Sequence, residues 1–330
     1  MDRRAFLELL VSGILAAADS VEAQQTPGPY VIGYLGQGSK SEELAPAKDL
    51  PTLLENLRAL GYVEGQNLTV NARFAEGRPE DLSGLAAQLV ATNPRVIVVR
   101  SVGIARAVLE HTRTVPVVAL QAGELEAEPN VASLAKPGGN LTGMQLHSPE
   151  VIGKRLQLLR EVVPGLRRVA VLRGVPWGDA GFLLYRNAND AAAAKLGIRA
   201  RYVQFEKPAD LNRLFEEMAR ERDQALLVWG NPHLNLYRKQ IFDLTLRYRL
   251  PALYDVRGYP EELLVYAAKL GDVQREAATY VDKILKGANA GDLAIGQARS
   301  FELIVNLRTA KALGITVPQS LLLRADEVIQ

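Results

Sequence analysis

Along most of this chain, short apolar runs rich in β-branched residues alternate with longer stretches of helical period, and that alternation admits few folds. Val96-Ile97-Val98-Val99 is the plainest of the runs. Four consecutive apolar residues suit a strand covered on both faces, the habit of parallel sheets flanked by helices. Tyr30 to Leu35, Leu68 to Phe74 and Val115 to Leu120 read as its companion strands. Between them Leu53, Leu54, Leu57 and Leu60 share one helical face, as do Leu82, Leu85, Ala86 and Leu89.

The rhythm then restarts. Val169 to Leu172, Ala200 to Phe205, Leu226 to Trp229 and Ala252 to Tyr254 read as strands, separated by helical stretches that include Asn187 to Lys195 and Leu211 to Arg220. The expected fold class is therefore α/β, with two doubly wound parallel-sheet lobes. A chain of 330 residues is long enough for two domains that each bury a core. "AKPGGNLTG", residues 135–143, breaks regular structure with a proline and paired glycines, and reads as the first crossing between the lobes.

Composition narrows the function classes. Hydrophobic residues make up 48% and charged residues 23%, the balance of a folded chain. A net charge of +2, with no long block of Lys and Arg, argues against a nucleic-acid partner. Cysteine is absent, which excludes disulfides, thiolate metal sites, cysteine nucleophiles and lipid attachment through an N-terminal cysteine. At the N-terminus Arg3-Arg4 precedes an apolar stretch from Leu9 to Ala18 and a small-residue site, Val21-Glu22-Ala23. Residues 1–23 thus read as a secretory signal, of twin-arginine type, cleaved after Ala23. No later stretch is long and apolar enough to span a membrane, so the expected location is periplasmic, without a lipid anchor.

Motifs for catalysis are missing. Gly33, Gly36 and Gly38 in "GYLGQGSKSE" fit neither a dinucleotide fingerprint nor a P-loop. His111, His147 and His233 are far apart, without metal-ligand spacing, and each reads as a surface or loop residue. No G-x-S-x-G elbow is present. No catalytic residue, metal or cofactor is assigned. Ligands of open parallel sheets bind outside the carboxyl ends of the strands. The residues expected there are Gln37, Ser39, Lys40, Ser101, Gln121, Trp177, Trp229, Asn231, Tyr254 and Asp255. Aromatic faces with a few hydrogen-bonding groups are how small-molecule pockets combine affinity and orientation.

The C-terminal stretch "YVDKILKGANAGDLAIGQARSFELIVNLRTAKALGITVPQSLLLRADEVI", residues 280–329, resembles the terminal signature of the periplasmic substrate-binding proteins of ABC transporters. The resemblance is to the family that includes tryptophan and aromatic amino-acid binding members. "LRALGYVEGQNLTV", "AEGRPEDLSGLAAQLV", "VASLAKPGGNLTGM" and "KRLQLLREVVPG" extend it over nearly the whole chain. The resemblance implies a type I periplasmic binding fold, two lobes joined by three crossings and closing over ligand at a hinge. It implies an N-terminal lobe of residues 28–142 plus 262–298 and a C-terminal lobe of 143–261 plus 299–330. It also implies a monomer that captures a small polar or aromatic molecule, an amino acid among the candidates, and delivers it to a membrane permease. The stretch "LQAGELEAEPN", residues 120–130, departs from the turn many members carry. Two other roles stay open at this point, a sensory binding protein feeding a receptor and an exported α/β enzyme. A repressor is disfavoured because an export signal stands where a DNA-binding helix pair would sit.

Overall fold

Val96–Val99 is a wholly buried strand in the computed structural model of the chain, which describes residues 29–46, 48–123, 125–174, 180–230 and 232–330. The expected signal, residues 1–23, lies outside the described residues. Strands β1 (Tyr30–Gly36), β2 (Leu68–Phe74), β3 (Val96–Val99), β4 (Val117–Ala122) and β5 (Leu141–Gln145) form the first sheet, together with β11 (Gly296–Gln297). Its order is β11-β5-β4-β3-β1-β2, and every pairing is parallel. Helices α1 (Lys40–Glu43), α2 (Asp49–Ala59), α3 (Leu82–Ala91) and α4 (Val102–Leu109) connect these strands. Alternation along β1 serves both faces. Ile32 and Tyr34 enter one apolar cluster with α2, and Leu35 enters the other with α3 and α4.

The second sheet repeats the plan. Helix α5 (Pro149–Val162) leads to β6 (Arg168–Gly174), α6 (Ala180–Leu196) to β7 (Arg199–Phe205), and α7 (Asp210–Arg220) to β8 (Ala225–Trp229). Helices α8 (Pro232–Asn235) and α9 (Arg238–Arg247) then lead to β9 (Ala252–Tyr254) and β10 (Leu264–Ala268). The order is β13-β12-β10-β9-β8-β6-β7, with β12 (Phe301–Asn306) antiparallel to β10 and β13 (Glu327–Ile329) parallel to β12. Helix α10 (Leu270–Leu285) packs on α2 and β4 of the first sheet, while α11 (Leu307–Leu313) and α12 (Gln319–Leu322) lie between β12 and β13 in sequence. The fold is α/β, as expected.

The first two crossings fall a few residues later than expected. The loop through Gly138 stays with the first lobe, where the Gly138 N–H donates to the Gly291 carbonyl at 2.9 Å. Leu141–Gln145 then completes the first sheet as β5, so the chain crosses at Leu146–Ser148. Likewise Leu264–Ala268 hydrogen-bonds to β9 and β12 in the second sheet, which puts the return to the first lobe after Ala268 instead of before Leu263. The third crossing joins β11 to β12 at residues 298–300.

Each sheet reverses its winding at one place. In the first, β1 lies between β2 and β3; in the second, β6 lies between β7 and β8. Connections leave these adjacent strands in opposite directions and open a crevice at their carboxyl ends, where ligands of such sheets bind.

Candidate functional site

At the first reversal the chain after β1 folds around a carboxylate of its own. Glu43 Oε1 accepts from the Gly38 N–H at 3.0 Å, and Oε2 accepts from the Tyr34 hydroxyl at 2.9 Å. A Cβ on Gly36 or Gly38 would stand 3.0 Å from Glu43, which is why glycine recurs in this turn. Burial, with Glu43 alongside, pushes the Tyr34 hydroxyl far above its ordinary range. Ser39 caps α1 by accepting from the Glu42 N–H at 3.2 Å, and the Lys40 N–H donates to Glu76 at 3.0 Å. Gln37 precedes them, half-buried.

Across the crevice, β3 delivers Arg100 and Ser101. Arg100 Nε lies 3.3 Å from Asp49 Oδ2, and its side chain is 39% exposed. Asp49 is in turn fixed by Gln121 and Gln274, whose amides donate to Oδ1 at 2.6 and 2.7 Å. Gln121 is thus occupied in holding Asp49. Ser101 stands at the N-cap of α4, and its side-chain oxygen accepts from no first-turn N–H, which leaves those groups available to an anion.

At the second reversal, Trp229 ends β8 in an aromatic cluster. Tyr185 stacks on it at 3.6 Å between centroids, Phe182 lies at 6.2 Å, and His147 meets its edge at 6.0 Å. The Arg173 guanidinium from β6 sits 4.3 Å over Trp229 and 4.6 Å over Phe182. Phe182 and Tyr185 reach it together because they are three residues apart on α6. Trp177 and Asn231 lie outside the described residues.

Asp255 follows β9 and is buried. Its Oδ1 accepts from the Gly230 N–H at 2.7 Å, and its Oδ2 lies 3.2 Å from His147 Nε2 and 3.8 Å from Arg155 Nη1. Burial alone would raise this carboxyl, but Arg155, His147 and the Gly230 N–H together hold it below its ordinary value. His147, expected at the surface or in a loop, is buried here because the first crossing passes directly under the end of β9. Tyr254 is not brought to the mouth. It points to the opposite face from Asp255 and packs in the core, with Arg238 5.2 Å over its ring.

The structure thus groups Gln37, Ser39 and Lys40 around β1, Ser101 with Arg100 beside them, and Trp229 with Asp255 in the other lobe. The lobes meet where His147 reaches Asp255 and where the turn Leu125–Ala127 lies against α6. A small cavity at that junction is lined by Leu146, Arg155, Asp255 and Ala268. An open concavity at the far edge, lined by Tyr30, Asn93, Arg95 and Pro116, lies at the amino ends of the strands and away from both reversals. Among the described residues no cluster of three or more His, Asp or Glu could hold a metal, and no helix is long and apolar enough to cross a membrane.

Residues 47–329 match the family described as "ABC transporter substrate binding protein". A curated relative, a tyrosine-binding protein of Clostridioides difficile (strain R20291), is 24% identical over 177 residues, 50% of this chain and 51% of the relative. The chain therefore spans about half the length of that relative. A conserved domain protein from Vibrio cholerae superposes with a TM-score of 0.80 at 25% identity, covering 91% of this chain and 99% of that one. The ABC domain from Streptococcus pneumoniae in complex with L-Trp also gives 0.80, at 20% identity, covering 92% and 100%.

Proposed function

The chain belongs to the ABC transporter substrate binding protein family, and from that premise we propose that it captures an aromatic α-amino acid between the carboxyl edges of its two sheets. It then delivers the ligand, outside the cytoplasm, to a membrane permease. The observation that carries the ligand class is the stack of Trp229, Tyr185 and Phe182 at the β6/β8 reversal, opposite a fixed cation and an open helix N-terminus at the β1/β3 reversal.

The division of labour follows from chemistry. The aromatic cluster, packed in this structure beneath Arg173, forms the apolar wall against which the ring lies, and Arg100 with the Ser101 end of α4 receives the carboxylate. Arg100 is preorganised for this because Asp49 holds its Nε side while the side chain stays 39% exposed. The relatives that bind tyrosine and L-Trp support the same ligand class.

Thermal unfolding of the chain from Gln24 onward, against a panel of aromatic and aliphatic amino acids, sugars and purines, tests the proposal. At about a hundred times its dissociation constant a ligand adds roughly 2.7 kcal/mol of stability. That raises the midpoint by about 5 to 10 °C for lobes of this size. The expected result is a shift with tryptophan, tyrosine or phenylalanine; a shift confined to sugars or purines overturns the reading.

A further inference from the structure

The edge of the second sheet that faces away from the cleft carries a row of arginines that no carboxylate answers. Strands β9, β8, β6 and β7 lie side by side. An exposed arginine stands just before or at the start of each: Arg249, Arg222, Arg167 and Arg199. Neighbouring strands are about 4.8 Å apart, so the row runs for about 14 Å. Three acids at this edge are already matched, while Glu216 and Glu261 are exposed. Asp223 pairs with Arg201 and Arg168, Glu217 with Arg201 and Arg213, and Glu221 with Arg168. The four arginines of the row have no ion-pair partner among the described residues.

Helix dipoles do not account for the row. They favour cations in the last turn of a helix and so explain Arg160, Lys195, Arg220 and Arg247, which flank it. Arg167 and Arg199 instead lie beyond their helices, at strand starts. Arg222 and Arg249 hold the left-handed conformation just past α7 and α9, with φ of 57° and 50°. That position favours glycine, and α2, α6, α10 and α11 end on Gly61, Gly197, Gly287 and Gly314 in the same conformation. An arginine there is kept against a backbone preference.

We propose that this edge is a docking surface for the phosphate headgroups of an anionic membrane, independent of what the cleft holds. The basic area is two-dimensional, because helix ends on both faces of the sheet widen the row into a strip; α5 and α6 lie on one face, α7 and α9 on the other. A nucleic-acid strand would call for a groove and bare rings. Tyr248, beside the row, is covered by Phe215 and Arg247. With this edge on a membrane the cleft faces away from the bilayer, so this docking and delivery to a permease are alternative poses of the chain.

Sedimentation of the chain from Gln24 onward with vesicles of phosphatidylglycerol and phosphatidylcholine, against phosphatidylcholine alone, tests the docking surface. Binding is expected only with the anionic lipid, and is expected to fall steeply between 0.05 and about 0.5 M salt as screening shortens. Each arginine near such a surface is worth about fivefold in partitioning. Arg222→Gly with Arg249→Gly should therefore weaken binding about 30-fold while relaxing the backbone, so the fold is not at risk. Glutamine at all four positions should weaken it several hundredfold. Three results overturn the proposal: no binding of the unaltered chain to anionic vesicles, equal binding by the glycine pair, or tighter binding to a single-stranded oligonucleotide than to the vesicles at equal salt.

Discussion

His147 Nε2 stands 3.2 Å from Asp255 Oδ2, and through that contact the first crossing between the lobes is fastened to the end of β9. Arg155 joins them from α5, with Nη2 donating to the Asp255 carbonyl at 3.4 Å and Nε to the Tyr266 carbonyl at 3.3 Å. One carboxylate therefore links the crossing, a helix and two strands of the second lobe.

Replacing Asp255 with Asn leaves Arg155 buried without its counter-charge. Breaking a buried pair in this way costs about 3–5 kcal/mol, read as a lower urea midpoint at pH 7. The Asp255 carboxyl is held below its ordinary value in the folded state. Its contribution is therefore present above about pH 4 and is lost as pH falls through the lower folded value. The gap between the unaltered chain and D255N should be widest near neutrality and shrink in acid. A gap that stays constant from pH 7 to pH 3 refutes this account.

Glu262 gives the opposite slope. Its carboxylate receives Arg238 Nε at 2.7 Å and Nη2 at 2.6 Å, yet burial outweighs that pairing and pushes it up from 4.5 to about 7. The folded protein thus takes up a proton that the unfolded chain releases in this window. The contribution of Glu262 is full below about pH 4.5 and lost as pH rises through 7. Between those limits the unaltered chain should lose about 3 kcal/mol relative to E262Q, whose amide does not titrate. Parallel stability curves for the two proteins over pH 4 to 8 would show that burial does not control this group.

Gly143 tests the join between β4 and β5. Its φ is +141°, and a Cβ there would lie 2.1 Å from the Ala119 carbonyl oxygen, where the register of the pair shifts. Gly143→Ala should therefore cost at least about 4 kcal/mol, at the severe end for a single substitution. Gly84→Ala is the control, since Gly84 lies in α3 with open space around its Cα. It should stabilise by about 0.5–1 kcal/mol. Denaturant midpoints of the two variants that move together would contradict the argument from close approach.

What was legible in the sequence follows the range of the interaction. Val96–Val99 shows its strand because burial on both faces demands an unbroken apolar run. The loops after β1, β3 and β8 are legible for the same reason, since they begin where the runs stop. Asp49 was not legible: it is placed in a site by Gln121 and Gln274, and Gln274 is 225 positions away in the chain. Phe182 and Tyr185 precede the stretch that reads as helical, and only their stacking on Trp229 gives them meaning. Tyr254 and Asp255 look alike as strand-end residues, yet side chains alternate along a strand and only one of two neighbours can face the crevice.

Arg100 carries the last prediction. Asp49 Oδ2 holds it at 3.3 Å, and the proposed carboxylate contact uses the rest of its guanidinium. Arg100→Gln keeps a hydrogen-bonding group of lesser reach and removes the charge. A charge-assisted hydrogen bond contributes about 1.5–3 kcal/mol, so affinity for the aromatic amino acid should fall roughly 10- to 150-fold. The amide of the same amino acid has no carboxylate to lose, and its weaker binding should be unchanged by the substitution. Calorimetric titration of both ligands into both proteins separates the cases. If the amide loses as much affinity as the acid, Arg100 supports the shape of the crevice through Asp49 and does not hold the carboxylate.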